Sequence, residues 1–251
     1  MGTPELLDTP TGNRLIDALP ADDRGTLRER ARIRRLEQHE VLWEPGQRIA
    51  AVAFPIDGVV SLVTSTVDGH GVELATIGKE GMVGVSVILG ARERPIDRAV
   101  SQIAGRSLLV DADHLESRLD ASPNLRTIML AYTHTLLKHV AQGVACNRLH
   151  PAEQRCARWL LTTRDRVDRD ELTLTHEFLA QMLGVRRASV SETLAVLQRA
   201  ELVSTRRGVI VIENPSGLRE AACECYDVVR EEYDLLLRAL PESAPAMSPT
   251  R

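Results

Sequence analysis

The stretch "LAQMLGVRRASVSETLAVLQ", Leu179 to Gln198, decides how this chain is read. Leu179, Ala180, Leu183, Val185, Val190, Leu194 and Leu197 fall where two helices meeting at an angle would bury them. Gly184 stands where the first helix must end in a left-handed conformation, which glycine adopts cheaply. That leaves Arg186, Arg187, Ser189, Ser191 and Glu192 pointing outward. An apolar back with a polar front is what a helix entering the major groove of DNA needs. Arg187 is the candidate for bidentate contact with guanine O6 and N7, and Glu192 for accepting from cytosine N4. Arg186, Ser189 and Thr175 are candidates for phosphate contacts, helped by the helix N-terminus.

An αα-hairpin with solvated arginines would show the same helix–Gly–helix pattern, so the next segment matters. "LVSTRRGVIVIENPSGL" predicts a β-hairpin turning at Arg207-Gly208, with Arg206 and Arg207 at its tip. A basic hairpin beside a second helix is the mark of a winged variant. Between Arg186 and Arg207 five arginines face two acids, Glu192 and Glu201, a local charge of +3 in a chain whose net charge is −4. Nucleic-acid binding in a net acidic protein needs such a local patch.

The chain has 251 residues, enough for two domains. Its 43% hydrophobic and 26% charged content is that of a globular protein, and with 3% aromatics the core must be aliphatic. The N-terminus lacks a basic start before an apolar run, so no signal peptide is expected, and no apolar stretch is long enough to span a bilayer. Four cysteines (Cys146, Cys156, Cys223 and Cys225) do not resemble a secreted disulfide framework, so a reducing cytoplasm is expected.

Upstream, residues 14–38 read as short helices. From Val41 to Val110, β-branched runs alternate with "EPG", "DG", "DGHG" and "GKEG", which predicts a sandwich or barrel-like roll. Asp68-Gly69 suits a hairpin turn. "SPNLRTIMLAYTHTLLKHVAQGVACNRL" predicts a long helix capped by Ser122, with Pro123 at its first position. Two apolar stripes run along it. Leu125, Met129, Tyr132 and Leu136 can cover the β-rich half, while Leu130, Leu137 and Val144 can face a partner helix; a helix buried within one domain is the alternative. His150-Pro151 breaks the chain before another amphipathic helix, and "DRDELTLT" reads as a polar loop with a short strand. A last, acidic helix is expected from about Ser216 to Leu240, with a frayed tail from Pro241.

With these motifs the chain resembles the Crp/Fnr family of bacterial transcription regulators over roughly residues 14–222. "VLWEPGQRIAAVAFPIDGVVSL" and "IGKEGMVG" look like its β-roll, the long helix like its dimer helix, and residues 174–218 like its winged helix-turn-helix. The resemblance implies an α+β fold: a double-stranded β-helix of the cyclic-nucleotide-binding kind at 14–121, a dimerisation helix at 122–149, a DNA-binding domain at 150–222 and a C-terminal helix and tail at 223–251. It also implies a homodimer on a two-fold symmetric operator of double-stranded DNA, RNA polymerase as a partner, and no membrane. A cyclic-nucleotide sensor regulating a protein partner would explain the β-roll but not the wing.

The departures bear on specificity. The family's Ser-Arg-Glu-Thr-Val-x-Arg pattern stands here as Arg186-Arg187-Ala188-Ser189-Val190-Ser191-Glu192, so the usual half-site is not expected. The absent serine cap costs the helix about 1 kcal/mol. At the cyclic-AMP pocket, Val85, beside Gly84, replaces the ribose-binding glutamate; Arg98-Ala99 replaces an Arg-Ser pair, and Val140-Ala141 replaces the adenine-facing polar pair. Cyclic AMP is therefore disfavoured.

Other cofactors have less to rest on. The family's iron–sulfur sensors use N-terminal cysteines, and here no cysteine precedes Cys146; haem would need a β-roll ligand, and His70 reads as a solvated turn residue. On a continuous helix Cys223 and Cys225 would diverge by about 200° and could not share a metal. Cys146 reads as a small buried cysteine, with a redox-sensitive pair across the dimer as the alternative. His134 and His139 are too far around their helix for one ion, so no metal site is expected. No nucleophile motif or phosphate loop appears, since "GKEG" precedes strand-like sequence, and no catalysis is expected.

Overall fold

The computed structural model describes residues 10–67 and 71–240. The expected turn at Asp68-Gly69, His70 and the tail from Pro241 lie outside the described residues. The chain opens with α1 (Arg14–Asp17), α2 (Ala21–Arg28), β1 (Ala31–Leu36), β2 (Val41–Trp43), β3 (Ala51–Pro55), β4 (Val59–Ser65) and β5 (Gly71–Ile77). It continues with α3 (Val85–Ile88), β6 (Arg98–Ile103), β7 (Gly105–Asp111), α4 (Ala112–Ala121) and the 27-residue α5 (Pro123–Leu149). The C-terminal half holds α6 (Ala152–Val167), β8 (Glu171–Thr173), α7 (His176–Leu183), α8 (Arg187–Arg199), β9 (Val203–Arg206), β10 (Val209–Ile212), α9 (Pro215–Ala221) and α10 (Cys225–Ala239).

Two antiparallel sheets form the roll, a three-stranded one in the order β1-β7-β3 and a four-stranded one in the order β2-β6-β4-β5. Alternation puts Val52, Phe54, Leu62, Ala75, Ile77, Ala99 and Val110 into an aliphatic core between them. β1 corrects the expectation of helices throughout 14–38. "ARIRRL" pairs along β7 as an edge strand and leaves four successive residues exposed, the charged edge that discourages pairing with another chain. "MVGVSVIL" also differs from the expected strand: Val83 makes one bridge to Ala53, and the short α3 follows.

The long helix behaves as its two stripes demand. Ser122 Oγ accepts from the Leu125 amide at 3.1 Å, with Pro123 at the first position. Leu125, Met129, Tyr132 and Leu136 are buried against the roll. Leu130, Leu137 and Val144 remain 44%, 64% and 66% exposed, which rules out a helix buried on all sides.

The expected single C-terminal helix is two helices, interrupted at Ala222–Glu224. After the break, α10 runs back along α5. Tyr233 meets His139 and Tyr132, Lys138 pairs with Glu232 at 2.7 Å, and Val229, Leu236 and Leu240 join the core of the roll. Burial keeps His139 well below the usual histidine pKa, so it packs as a neutral ring. Among the described residues no helix is long and apolar enough to cross a membrane.

Candidate nucleic-acid interface

The C-terminal unit is built around α7 and α8. Thr175 Oγ1 caps α7 by accepting from the Phe178 amide at 3.1 Å. Gly184 ends the helix at φ +62°, donating to Gln181, while Val185 donates to Ala180. Any other residue there would sit in a left-handed conformation costing roughly 1–2 kcal/mol. Val190, Leu194 and Leu197 then bury the back of α8 against Leu179, Ala180 and Leu183.

The front of α8 is solvent-facing. Arg186, Arg187, Ser191 and Glu192 are exposed and Ser189 is half-buried. Arg186 occupies the N-cap position with no side-chain cap, as the missing serine predicts. Ser191 Oγ donates to the Arg187 carbonyl at 3.3 Å and lies 3.0 Å from His176 Nδ1. That histidine went unnoticed in the sequence, because nothing local links residues 15 apart.

The wing is a three-stranded sheet in the order β8-β10-β9. Its turn has φ +42° at Arg207 and +81° at Gly208, the two positive values of a type I′ hairpin. Arg206 lies 3.9 Å from Glu171, while Arg186, Arg187 and Arg207 have no ion-pair partner among the described residues. Outward-facing cations without internal partners can neutralise phosphates and reach base edges.

Arginines on the opposite face do something else. Arg155, on α6, is buried and donates to the Leu183 carbonyl, so it ties down the end of α7. Arg166, 5% exposed, pairs with Glu80 at 2.7 Å and donates to Thr76 Oγ1. Gly78 lies under that guanidinium stem, where a Cβ would come within 2.5 Å of it. The "GKEG" turn is thus a latch between the roll and α6, a role invisible in sequence because the partners lie 86 residues apart.

Next to the latch, Trp159 Nε1 donates to Glu73 Oε1 at 3.0 Å, and Ser61 Oγ lies 2.9 Å from Glu73 Oε2 and 2.6 Å from Gln102 Oε1. One hydroxyl proton cannot serve both acceptors at once, and a carboxyl that holds a proton can supply the missing donor. Burial agrees with this and pushes the Glu73 carboxyl up to about 7, against the opposing pull of Ser61 and Arg158.

Of the expected effector residues, Gly84 and Ala99 both border Trp43. Trp43 pairs with Ala99 on β6, and its buried ring reaches the space beside Gly84. Arg98 forms an ion pair with Glu44 at 3.1 Å. Val85 and Val140 pack against the core of the roll.

The helix geometry that set Cys223 and Cys225 aside as ligands does not hold. Cys223 lies in the break between α9 and α10 and Cys225 is the first residue of α10, so the two do not ride one helix, and Cys146 faces Cys223 of its own chain at 3.5 Å.

Residues 154–221 match the family model of the Crp-like helix-turn-helix domain. A global nitrogen regulator from Synechocystis sp. is 23% identical over 195 residues, which are 73% of this chain and 85% of that protein. The structure of FixK2 from Bradyrhizobium japonicum superposes with a TM-score of 0.65 at 19% identity, covering 77% of this chain and 98% of that one. A transcriptional regulator of the CRP/FNR family from Thermus thermophilus gives 0.62 at 18% identity, covering 76% and 98%. Residues 154–221 thus carry a Crp-like helix-turn-helix domain, and the chain as a whole, with its β-roll and long helix, has the fold of the Crp/Fnr-type regulators it resembles.

Proposed function

We propose that the chain is a cytoplasmic, sequence-specific transcription regulator that binds a two-fold symmetric DNA operator as a homodimer. The observation that carries this reading is the set Arg186, Arg187 and Arg207, without ion-pair partners among the described residues, the first two at the start of a helix whose apolar back is buried and the third in the hairpin turn of the wing. Arg187 reads guanine and Glu192 reads cytosine; Thr175, Ser189, Ser191, Arg186 and Arg206 hold the backbone and set the register. The exposed seven-residue stripe of Leu130, Leu137 and Val144 pairs with the same stripe of a second copy, as two parallel helices would.

An effector other than cyclic AMP biases the orientation of the two DNA-binding units. The filled space at Trp43 and the Arg98–Glu44 pair support that choice. If such an effector favours the DNA-competent state, operator and effector strengthen each other's binding reciprocally. RNA polymerase is the expected partner on DNA, and no chemistry is assigned to the protein.

Selection of duplexes from a random pool at physiological salt tests the reading. Wild type should enrich a palindrome with half-sites about one helical turn apart. Arg187→Ala should weaken binding by about 1–3 kcal/mol and relax one position per half-site. Enrichment of no sequence, with and without cell extract, would contradict it.

A further inference from the structure

At the junction of the long helix, the DNA-binding unit and α10 lies a group of side chains that the regulator reading does not use. Cys146 and His150 close the C-terminal end of α5, four residues apart on one side of the helix, while Cys223 comes from the break before α10 and Cys225 is the first residue of α10. Their Sγ and imidazole nitrogen atoms all lie within 4.8 Å of one another, and the cysteines are buried. We propose that Cys146, His150, Cys223 and Cys225 bind one zinc-class divalent cation in a tetrahedral Cys3His site.

The spacing has the right scale. A tetrahedral zinc, with Zn–S about 2.3 Å and Zn–N about 2.0–2.1 Å, sets its ligand atoms roughly 3.5–3.8 Å apart. Here Cys146 Sγ lies 3.5 Å from Cys223 Sγ, and Cys225 Sγ lies 3.6 Å from His150 Nδ1. Three thiolates and an imidazole form a soft, closed donor set of the kind that structural zinc sites use.

The surroundings are those of a metal site as well. His150 directs Nδ1 toward Cys225 while its Nε2 lies 3.2 Å from Glu224 Oε1. A carboxylate on the far nitrogen fixes the tautomer and orients a ligating histidine. Gln142 Nε2 donates to Cys225 Sγ at 3.0 Å, a contact that favours thiolate. A helix break at "AACEC", which holds neither glycine nor proline, has a reason if both cysteines must turn to the same point.

The site would fasten the end of α5 to the exit of the DNA-binding unit, on either side of the Pro151 break where that unit begins. Loading would stiffen the pivot about which the recognition helices turn.

Metal analysis of the full chain, purified after growth with zinc and then exchanged into metal-free buffer, tests the assignment. About one zinc per chain is expected. Cobalt(II) added to chelator-stripped, reduced wild type should give the strong visible d–d bands of a tetrahedral thiolate site, saturating near one equivalent. Cys223→Ser and His150→Ala should lower occupancy or shift those bands, while Cys156→Ser, a buried cysteine outside the cluster, should leave them unchanged. Less than a tenth of an equivalent of metal in wild type, with no tetrahedral cobalt spectrum, would overturn the proposal. Iron with inorganic sulfide in place of zinc would overturn it too, as would a Cys146–Cys223 disulfide whose reduction restores no cobalt bands.

Discussion

Arg166 and Arg187 belong to the same helix-turn-helix unit and carry the same group, yet their surroundings assign them opposite work. Arg166 is buried between α6 and the roll, with Glu80 and Thr76 taking up its donors. Arg187 stands at the start of α8 with its donors facing solvent. The first makes its hydrogen bonds inside the protein and holds the unit against the β-roll. The second keeps them available for a partner. Charge alone therefore does not mark a nucleic-acid contact; the proposed contacts rest on cations that lack an internal acceptor and stand on a helix whose back is buried.

The contrast breaks most severely at the inner face. Glu80→Ala leaves Arg166 buried without its counter-charge, and removing one partner of such a pair costs about 3–5 kcal/mol. Urea unfolding should show a loss of that size. A change under about 1 kcal/mol would mean that water already shares the pair.

Glu73 sharpens the same face through pH. Its carboxyl is raised to about 7, so between its ordinary value and about 7 the folded chain holds a proton that the unfolded chain has released. Stability from this group is present at low pH, falls as pH rises through that window and levels off above it. Unfolding midpoints from pH 5 to 8 in Glu73→Gln should lack that part of the slope; parallel profiles for the two proteins would refute the assignment.

The smallest effect is expected at the wing. Arg207 holds φ +42°, so Arg207→Gly relieves a left-handed cost of roughly 1–2 kcal/mol, offset by about 0.4–1 kcal/mol of added unfolded-state entropy. It should raise stability slightly while lowering the salt dependence of DNA binding by about one phosphate contact. An unchanged salt slope would remove Arg207 from the interface.

These two faces were not equally legible in the sequence. Gly184, the apolar spacing of α7 and α8 and the Arg207-Gly208 turn are local signals, and each lies where the chain alone implied. The inner face depends on partners 86 residues apart, Glu80 with Arg166 and Glu73 with Trp159, which no local pattern exposes. β1 was hidden because an edge strand with four exposed residues lacks the alternation of a half-buried strand. The break before α10 was hidden because "AACECYD" has no helix breaker, and the contacts that turn it come from the far end of α5.

The central claim is that the outward arginines serve DNA and not the fold. The direct test measures, on one preparation of Arg187→Ala, both the urea midpoint and the affinity for a duplex selected by wild type. An unfolding midpoint equal to wild type, with affinity weaker by about 1–3 kcal/mol, is the predicted result. Affinity equal to wild type, or a loss of stability that accounts for the loss of affinity, would contradict it.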